Sequence, residues 1–320
     1  MNKISSFDAN GLLAEKFSDP ELTIDGKPRA TVALNSLETL WFNTGTLCNI
    51  QCANCYILSS PKNDDLVYLT LEDVVGYLDE ISDLGLATRE IGFTGGEPFM
   101  NPNMCAMAGA ALERGLDVLI LTNAMRPMMR PIVRQALSAL IERYGDKLTL
   151  RVSLDHYDPE KHDEQRGAGT FAVTLDGMRW LRDQGARLSA AGRSMWDEDE
   201  NQARRGFARL FAEERLNIDT DDPAAMVIFP EMDTFADVPE ISTACWEILG
   251  KSPDSVMCAN TRMVVRRKGA GAPAVLACTL LAYDEAFELG RSLAEADRPV
   301  SLNHPHCAKF CVLGGARCSA

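Results

Sequence analysis

Apolar positions along the chain switch repeatedly between two periods. Short alternating or continuously apolar runs at 38–45, 89–94, 117–121, 148–154, 187–191 and 225–229 carry the strand pattern. Val74, Leu78, Ile81 and Leu84 instead recur at helical spacing behind the helix-start signal Thr70-Leu71-Glu72-Asp73. Helical stretches are also predicted at 103–114, 132–144, 171–184 and 201–216. Six strands alternating with these helices predict an α/β fold with a mostly parallel sheet. After residue 250 the pattern changes, and 256–265 and 274–280 read as two strands joined by a turn-rich linker at 266–273. The expected division is an N-terminal cap segment at 1–37, the repeating α/β unit at 38–250, and a small cysteine-bearing hairpin module at 251–320.

Composition narrows the function classes. A chain of 320 residues with 46% hydrophobic content buries a sizeable core. Lys+Arg 32 against Asp+Glu 46 leaves a net charge of −14 without a cationic block, which disfavours a nucleic-acid partner. The apolar runs fall well short of the roughly 20 residues that span a bilayer, so no membrane segment is expected. Ten cysteines without a secretory signal point to the cytoplasm, where reduced thiols serve as ligands.

Three of those cysteines, Cys48, Cys52 and Cys55, stand close together directly after the first predicted strand. Three thiolates at this spacing point to iron–sulfur ligation, and a cube of four irons then keeps one iron open to another ligand. Zinc sites normally supply four ligands, and the nearest histidine to this loop is His156. A second motif, Thr94-Gly95-Gly96-Glu97-Pro98, ends the second predicted strand. Paired glycines there let backbone approach a ligand at the sheet edge where α/β folds bind them, so the two motifs are expected to face one another. Cys258, Cys278, Cys307, Cys311 and Cys318 predict a second metal centre, with iron–sulfur and zinc both open. His304 and His306 read as loop residues or as ligands or supporting groups of that centre, and Cys105 and Cys245 as small buried hydrophobes.

Taken together, these residues resemble the radical S-adenosylmethionine enzymes. The resemblance rests on Cys48, Cys52 and Cys55 followed by Tyr56, on Gly95-Gly96-Glu97-Pro98, and on the order of βα units over 38–229. It implies a partial (β/α)6 TIM-like barrel whose three cysteines hold a [4Fe–4S] cluster, with the open iron chelating S-adenosylmethionine. The implied activity is reductive cleavage of that cofactor to a 5′-deoxyadenosyl radical, which abstracts hydrogen from a small-molecule or peptide substrate. Gly95, Gly96, Glu97 and Pro98 would then meet the methionine amino group, Tyr56 would pack near the adenine, and Asn123, Ser153 and Asp155 would make polar contacts. Asp155 reads equally as a turn cap, and Arg166 as an anion contact or a helix-entry residue. Arg193, just beyond the fifth predicted strand, reads as a partner for the methionine carboxylate or as a solvated cation. Glu231, expected at the same rim, reads as a substrate contact or as an exposed charge.

The C-terminal region resembles SPASM and twitch extensions, which carry auxiliary [4Fe–4S] clusters. It departs from their usual spacing, since 19 residues separate Cys258 from Cys278 and Gly271 lies seven positions before Cys278. The resemblance also implies a low-potential electron donor such as flavodoxin or ferredoxin. The stretch before residue 38 is short for an independent leader-binding domain, which favours a sugar-like or nucleoside-like small molecule, or a peptide recognised in trans. The alternative is a non-catalytic iron–sulfur or zinc-binding protein, a redox sensor or scaffold on the same barrel. Net reaction and catalytic acid or base are not assigned by these residues.

Overall fold

The computed structural model describes residues 16–230 and 237–315. Six strands, β1 (Thr39–Asn43), β2 (Glu90–Thr94), β3 (Asp117–Thr122), β4 (Leu148–Ser153), β5 (Arg187–Ser194) and β6 (Met226–Pro230), lie parallel in sequence order. Helices α1 (Leu71–Asp83), α2 (Met104–Glu113), α3 (Pro131–Tyr144), α4 (Pro159–Arg166), α5 (Thr170–Asp183) and α6 (Glu200–Glu213) connect them. This is the mostly parallel α/β arrangement that the alternating periods predict and the partial barrel that the family resemblance implies. The sheet is open, with β6 at one edge.

At the other edge the predicted hairpin joins the same sheet. Strand β7 (Thr261–Val265) pairs parallel with β1, placing Thr261 opposite Thr39, and β8 (Ala274–Leu276) and β9 (Glu288–Gly290) follow antiparallel. The result is a nine-stranded sheet in the order β9-β8-β7-β1-β2-β3-β4-β5-β6. Leu40, Trp41 and Phe42 of β1 are fully buried, so both edges of that strand need hydrogen-bonded neighbours, and β7 supplies the second.

Local signals account for most element boundaries. Thr70 and Asp73 close a reciprocal capping box at the start of α1, and Val74, Tyr77, Leu78 and Ile81 form its buried stripe. Leu84 lies past the helix end and is half-exposed. On β4, Leu148, Leu150 and Val152 are fully buried, whereas Thr149, Arg151 and Ser153 line cavities. A polar inward face on a central strand marks a lumen built for ligands. Helix α4 is not predicted by the pattern, because its sequence PEKHDEQR has almost no apolar residues. It starts instead on an Asp158 cap with proline in the first turn.

A smaller core outside the barrel unites Phe17, Val32, Val238, Ile241, Val256, Leu302 and Val312. There Thr31–Val32 pairs antiparallel with Val300–Ser301, and a buried Arg29–Glu240 ion pair at 2.5 Å joins the two regions. The described part of the N-terminal segment is therefore packed against the C-terminal region.

Gly76 lies on the exposed side of α1 with open space where a Cβ would point. Gly76→Ala is expected to raise unfolding stability by about 0.5–1 kcal/mol, measured by urea denaturation, because alanine loses less backbone entropy in a helix.

Candidate functional site

The loop after β1 is docked edge-on against the end of β2. Thr44 N donates to Thr94 O (2.8 Å), Gly96 N to Gly45 O (2.8 Å), and Glu97 N to Leu47 O (3.2 Å). A Cβ on Gly96 would stand 2.2 Å from Leu47 O, and one on Gly95, whose φ is +138°, would stand 2.5 Å from Gly45 O. The glycines thus permit backbone-to-backbone packing that delivers Cys48 to the sheet edge. The rest of the loop is tied down from other elements. Ala53 N donates to Gln165 O (2.8 Å), Arg193 Nη2 to Asn54 O (2.7 Å), and Tyr283 Oη to Ile57 O (2.7 Å).

Cys48, Cys52 and Cys55 line one cavity with Tyr56, Gly95, Gly96, Asn123, Ser153, Asp155, Arg166 and Arg193. Glu97 and Pro98 lie behind this wall. Pro98 opens a buried turn, and the Glu97 carboxylate accepts from Thr122 Oγ1 (2.9 Å), Asn123 N (2.8 Å) and Phe99 N (3.2 Å). Burial pushes the Glu97 carboxyl up to about 7 against those three hydrogen bonds. Its task is to hold Asn123, whose Nδ2 lies 2.9 Å from Asn49 Oδ1 and 3.9 Å from Cys48 Sγ.

Asp155 is not a turn cap: its carboxylate pairs with Arg166 Nη2 at 2.9 Å. Burial alone would raise the Asp155 carboxyl, but the Arg166 charge and hydrogen bond, with Arg193 beyond, hold it below the usual carboxylate range. Arg166 is the last residue of α4 rather than a helix entry, and its buried Nε has no partner among the described residues. Asp155 N donates to His162 Nδ1 (3.2 Å), so the first turn after β4 is fixed from α4. Arg193 belongs to β5 itself and is engaged with the cysteine loop. Arg151, Ser59, Phe229, Leu280 and Phe310 complete the cavity and were not singled out by motif. The polar alternation of β4 is the one sequence signal that marks Arg151.

The donor set fits a multi-iron cluster. Burial pushes the Cys48 thiol up to about 12 and raises Cys52, with Arg166 and Arg193 opposing the latter. Without a metal these thiols stay protonated, so binding is coupled to proton release. Among the described residues no three His, Cys, Asp or Glu side chains stand at the separation of a single bound ion. Three thiols on one cavity wall fall one short of a closed zinc site, a count that suits a cluster with one open iron. Arg166 and Ser59, whose buried Nε and Oγ have no partner among the described residues, both line the same cavity.

A second, almost wholly apolar cavity is lined by Cys258, Cys278, Cys307, Cys311 and His306. Cys307 and Cys311 lie one turn apart on the π-helix Cys307–Leu313, which keeps both facing the cavity. Burial pushes Cys258 up to about 11, and Cys307 rises well above its ordinary value through burial and the neighbouring Cys278 and Cys258. His306 forms part of this wall, while His304 Nδ1 accepts from His306 N (3.0 Å). Cys318 and Glu231 lie outside the described residues. Leu280 lines both cavities and separates them, and its N–H donates to Cys278 Sγ (3.4 Å).

Residues 42–193 match the family model described as the Radical SAM superfamily. This segment is a radical SAM domain. It contains the cysteine loop, the glycine ladder, Asn123 and the Asp155–Arg166 pair. Curated relatives of the radical SAM domain include the antilisterial bacteriocin subtilosin biosynthesis protein AlbA of Bacillus subtilis, 32% identical over 155 residues, covering 47% of this chain and 32% of that protein. Mycofactocin maturase MftC of Mycobacterium ulcerans is 30% identical over 145 residues, covering 45% of this chain and 34% of that protein. The chain therefore spans about a third of the length of these curated relatives. In fold it resembles Streptococcus suis SuiB bound to S-adenosylmethionine, with a TM-score of 0.57, 12% identity, and coverage of 80% of this chain and 63% of that one. It also resembles anSMEcpe with bound AdoMet, with a TM-score of 0.58, 14% identity, and coverage of 83% and 81%. Among the described residues of the radical SAM domain and its extensions, no helix is long and apolar enough to cross a membrane.

Gly96→Ala is expected to displace the cysteine loop and to lower the iron bound after reconstitution by the content of one cluster, with Gly76→Ala as the unaffected control. Retention of full iron would show that the loop tolerates the added methyl. Burial and the Arg166 charge hold His162 down to about 4, from an ordinary value of 6.5. The unfolded chain therefore binds this proton first, and stability is full above about pH 6.5 and falls as pH drops toward 4. In metal-free protein His162→Asn is expected to flatten that fall by up to about 1.4 kcal/mol per pH unit, measured by urea unfolding at pH 7, 5.5 and 4.5.

Proposed function

We propose that this chain is a radical S-adenosylmethionine enzyme that abstracts hydrogen from a peptide substrate. The observation that carries the reading is one cavity that joins three loop thiols to the glycine ladder, Asn123, Ser153 and the Asp155–Arg166 pair. Cys48, Cys52 and Cys55 would hold a [4Fe–4S] cluster which, with S-adenosylmethionine bound, supplies reductive cleavage to a 5′-deoxyadenosyl radical.

The chain's own residues bind and orient. The unpartnered Arg166 Nε is suited to the methionine carboxylate, and the ionised Asp155 and Ser153 accept from hydroxyl groups of the cofactor. Tyr56 offers a ring at the cavity mouth for the adenine. Gly95 and Gly96 present backbone at the position expected to meet the methionine amino group. Arg193 and Glu97 act through the groups they position, the cysteine loop and Asn123. Across the cavity Ala191, Phe229, Leu280 and Phe310 form an apolar wall that excludes water, with the Phe229 and Phe310 rings stacked at 5.9 Å.

Cys258, Cys278, Cys307 and Cys311 would hold an auxiliary [4Fe–4S] cluster, since four thiols on one dry cavity match a closed cluster site. Residues 251–320 then form a SPASM/twitch-like module on the barrel at 38–250, with 1–37 as its cap. Of the small-molecule and peptide readings, a peptide is supported by the bacteriocin biosynthesis protein among the relatives and by a SuiB structure bound to its precursor peptide SuiA. The reading requires a low-potential donor of the flavodoxin or ferredoxin class and a reducing cytoplasm. The non-catalytic alternative leaves the polar wall around Arg166 without a task.

Anaerobically reconstituted protein given dithionite and S-adenosylmethionine is expected to form 5′-deoxyadenosine. Replacing Cys48, Cys52 and Cys55 together with Ala should abolish this product and remove about four irons, those of one cluster, while iron persists at the second site. No 5′-deoxyadenosine from the wild type, alone or with candidate peptides, would overturn the enzymatic reading. Loss of all iron from the folded triple variant would overturn the auxiliary cluster.

A further inference from the structure

Arg262 is among the largest fully buried side chains of the molecule, with 1% of its surface exposed. Its guanidinium donates to Ala296 O (3.1 Å), Cys258 O (2.6 Å), Thr261 O (2.8 Å) and Arg298 O (3.3 Å), all of them backbone carbonyls. Arg29 and Arg166 meet carboxylates, Glu240 at 2.5 Å and Asp155 at 2.9 Å, while the buried Arg151 donates to Ser189 Oγ (3.3 Å) and Ala224 O (3.2 Å) at the edge of a polar cavity. For Arg262 the hydrogen-bonding capacity is met by dipoles, and the ionisable groups that act on it are Cys258 and the exposed Asp297. A buried cation held this way is disfavoured unless an anionic centre stands beside it. Burial lowers the guanidinium to about 10, which still leaves it charged at neutral pH.

The second cysteine cavity lies next to this cation. Cys258, which lines that cavity, is four residues before Arg262 and bonded to it through its carbonyl. An iron–sulfur centre on four thiolates carries net negative charge in both of its working oxidation states, and more after reduction. We propose that Arg262 is the fixed countercharge of the second cysteine site, a positioning residue that acts through Cys258 and favours the reduced state of the centre. This rests on reading Cys258, Cys278, Cys307 and Cys311 as cluster ligands. It adds that the buried charge has been placed for the loaded form of the protein rather than for the metal-free one.

The test uses the full chain carrying Ala at 48, 52 and 55, so that only the second site holds iron, and compares Arg262, Arg262→Lys and Arg262→Gln by an EPR-monitored redox titration. Arg262→Gln is expected to weaken one-electron reduction at least tenfold, a fall of about 59 mV in midpoint potential. Arg262→Lys keeps the charge and is expected to stay within about threefold of the parent, less than that 59 mV step. In the metal-free forms, thermal unfolding of Arg262→Gln should match or exceed that of the parent, since an uncompensated buried charge has been removed. Equal potentials for Gln and the parent, or equal shifts for Gln and Lys, would overturn the countercharge role while the cluster reading stands. A metal-free Arg262→Gln protein that fails to fold would assign the residue to cross-linking carbonyls and likewise overturn it. A parent that binds zinc or no metal at the second site would overturn the cluster reading and the countercharge together.

Discussion

Everything at the proposed radical centre depends on two stretches of backbone lying within hydrogen-bond reach of each other. Gly96 and Glu97 donate to the carbonyls of Gly45 and Leu47, and no side chain larger than hydrogen fits between them. The contact fixes the first thiol at the carboxyl edge of the sheet. The next residue along, Glu97, then reaches past the cavity to fasten the start of the loop after β3. One short ladder thereby sets the positions of Cys48 and Asn123 together. A loop held by side chains alone would lose more entropy on ordering and place its thiols less sharply.

Charge is arranged around both cysteine sites in the same sense. Arg166, pinned by Asp155, lies close enough to Cys52 to oppose the rise in its pKa, and Arg262 does the same for Cys258. Thiols raised by burial are poor ligands until something compensates their charge, and a guanidinium that stays charged at neutral pH is a durable compensation. The two sites are also mechanically joined. Leu280 separates their cavities and hangs from Cys278, while Phe310 sits in the π-helix between Cys307 and Cys311 and presses on Phe229 of β6.

The sequence carried the strand order and both cysteine sets in plain view, because alternation and thiol spacing are local properties. Helix α4 carries no apolar stripe, since its residues are polar or charged after Pro159 and its start depends on the Asp158 cap. Long-range consequences were equally hidden. Nothing in the period of β7 says that it will pair with β1 more than 200 residues earlier. Nor does the Gly95-Gly96-Glu97-Pro98 motif reveal that its carboxylate turns away from the cavity toward β3. Arg193 stands near a predicted strand end, yet its hydrogen bond to Asn54 O links residues 139 positions apart that no local pattern connects. Leu280 and Phe310 carry no motif at all, and only the folded chain brings them to the wall.

The most direct test of an open iron at the Cys48, Cys52 and Cys55 site is EPR spectroscopy of the reduced, reconstituted protein with and without S-adenosylmethionine. Addition of the cofactor should change the spectrum of one cluster and leave that of the second cysteine site unaltered. A spectrum indifferent to S-adenosylmethionine, with iron present at the first site, would contradict it.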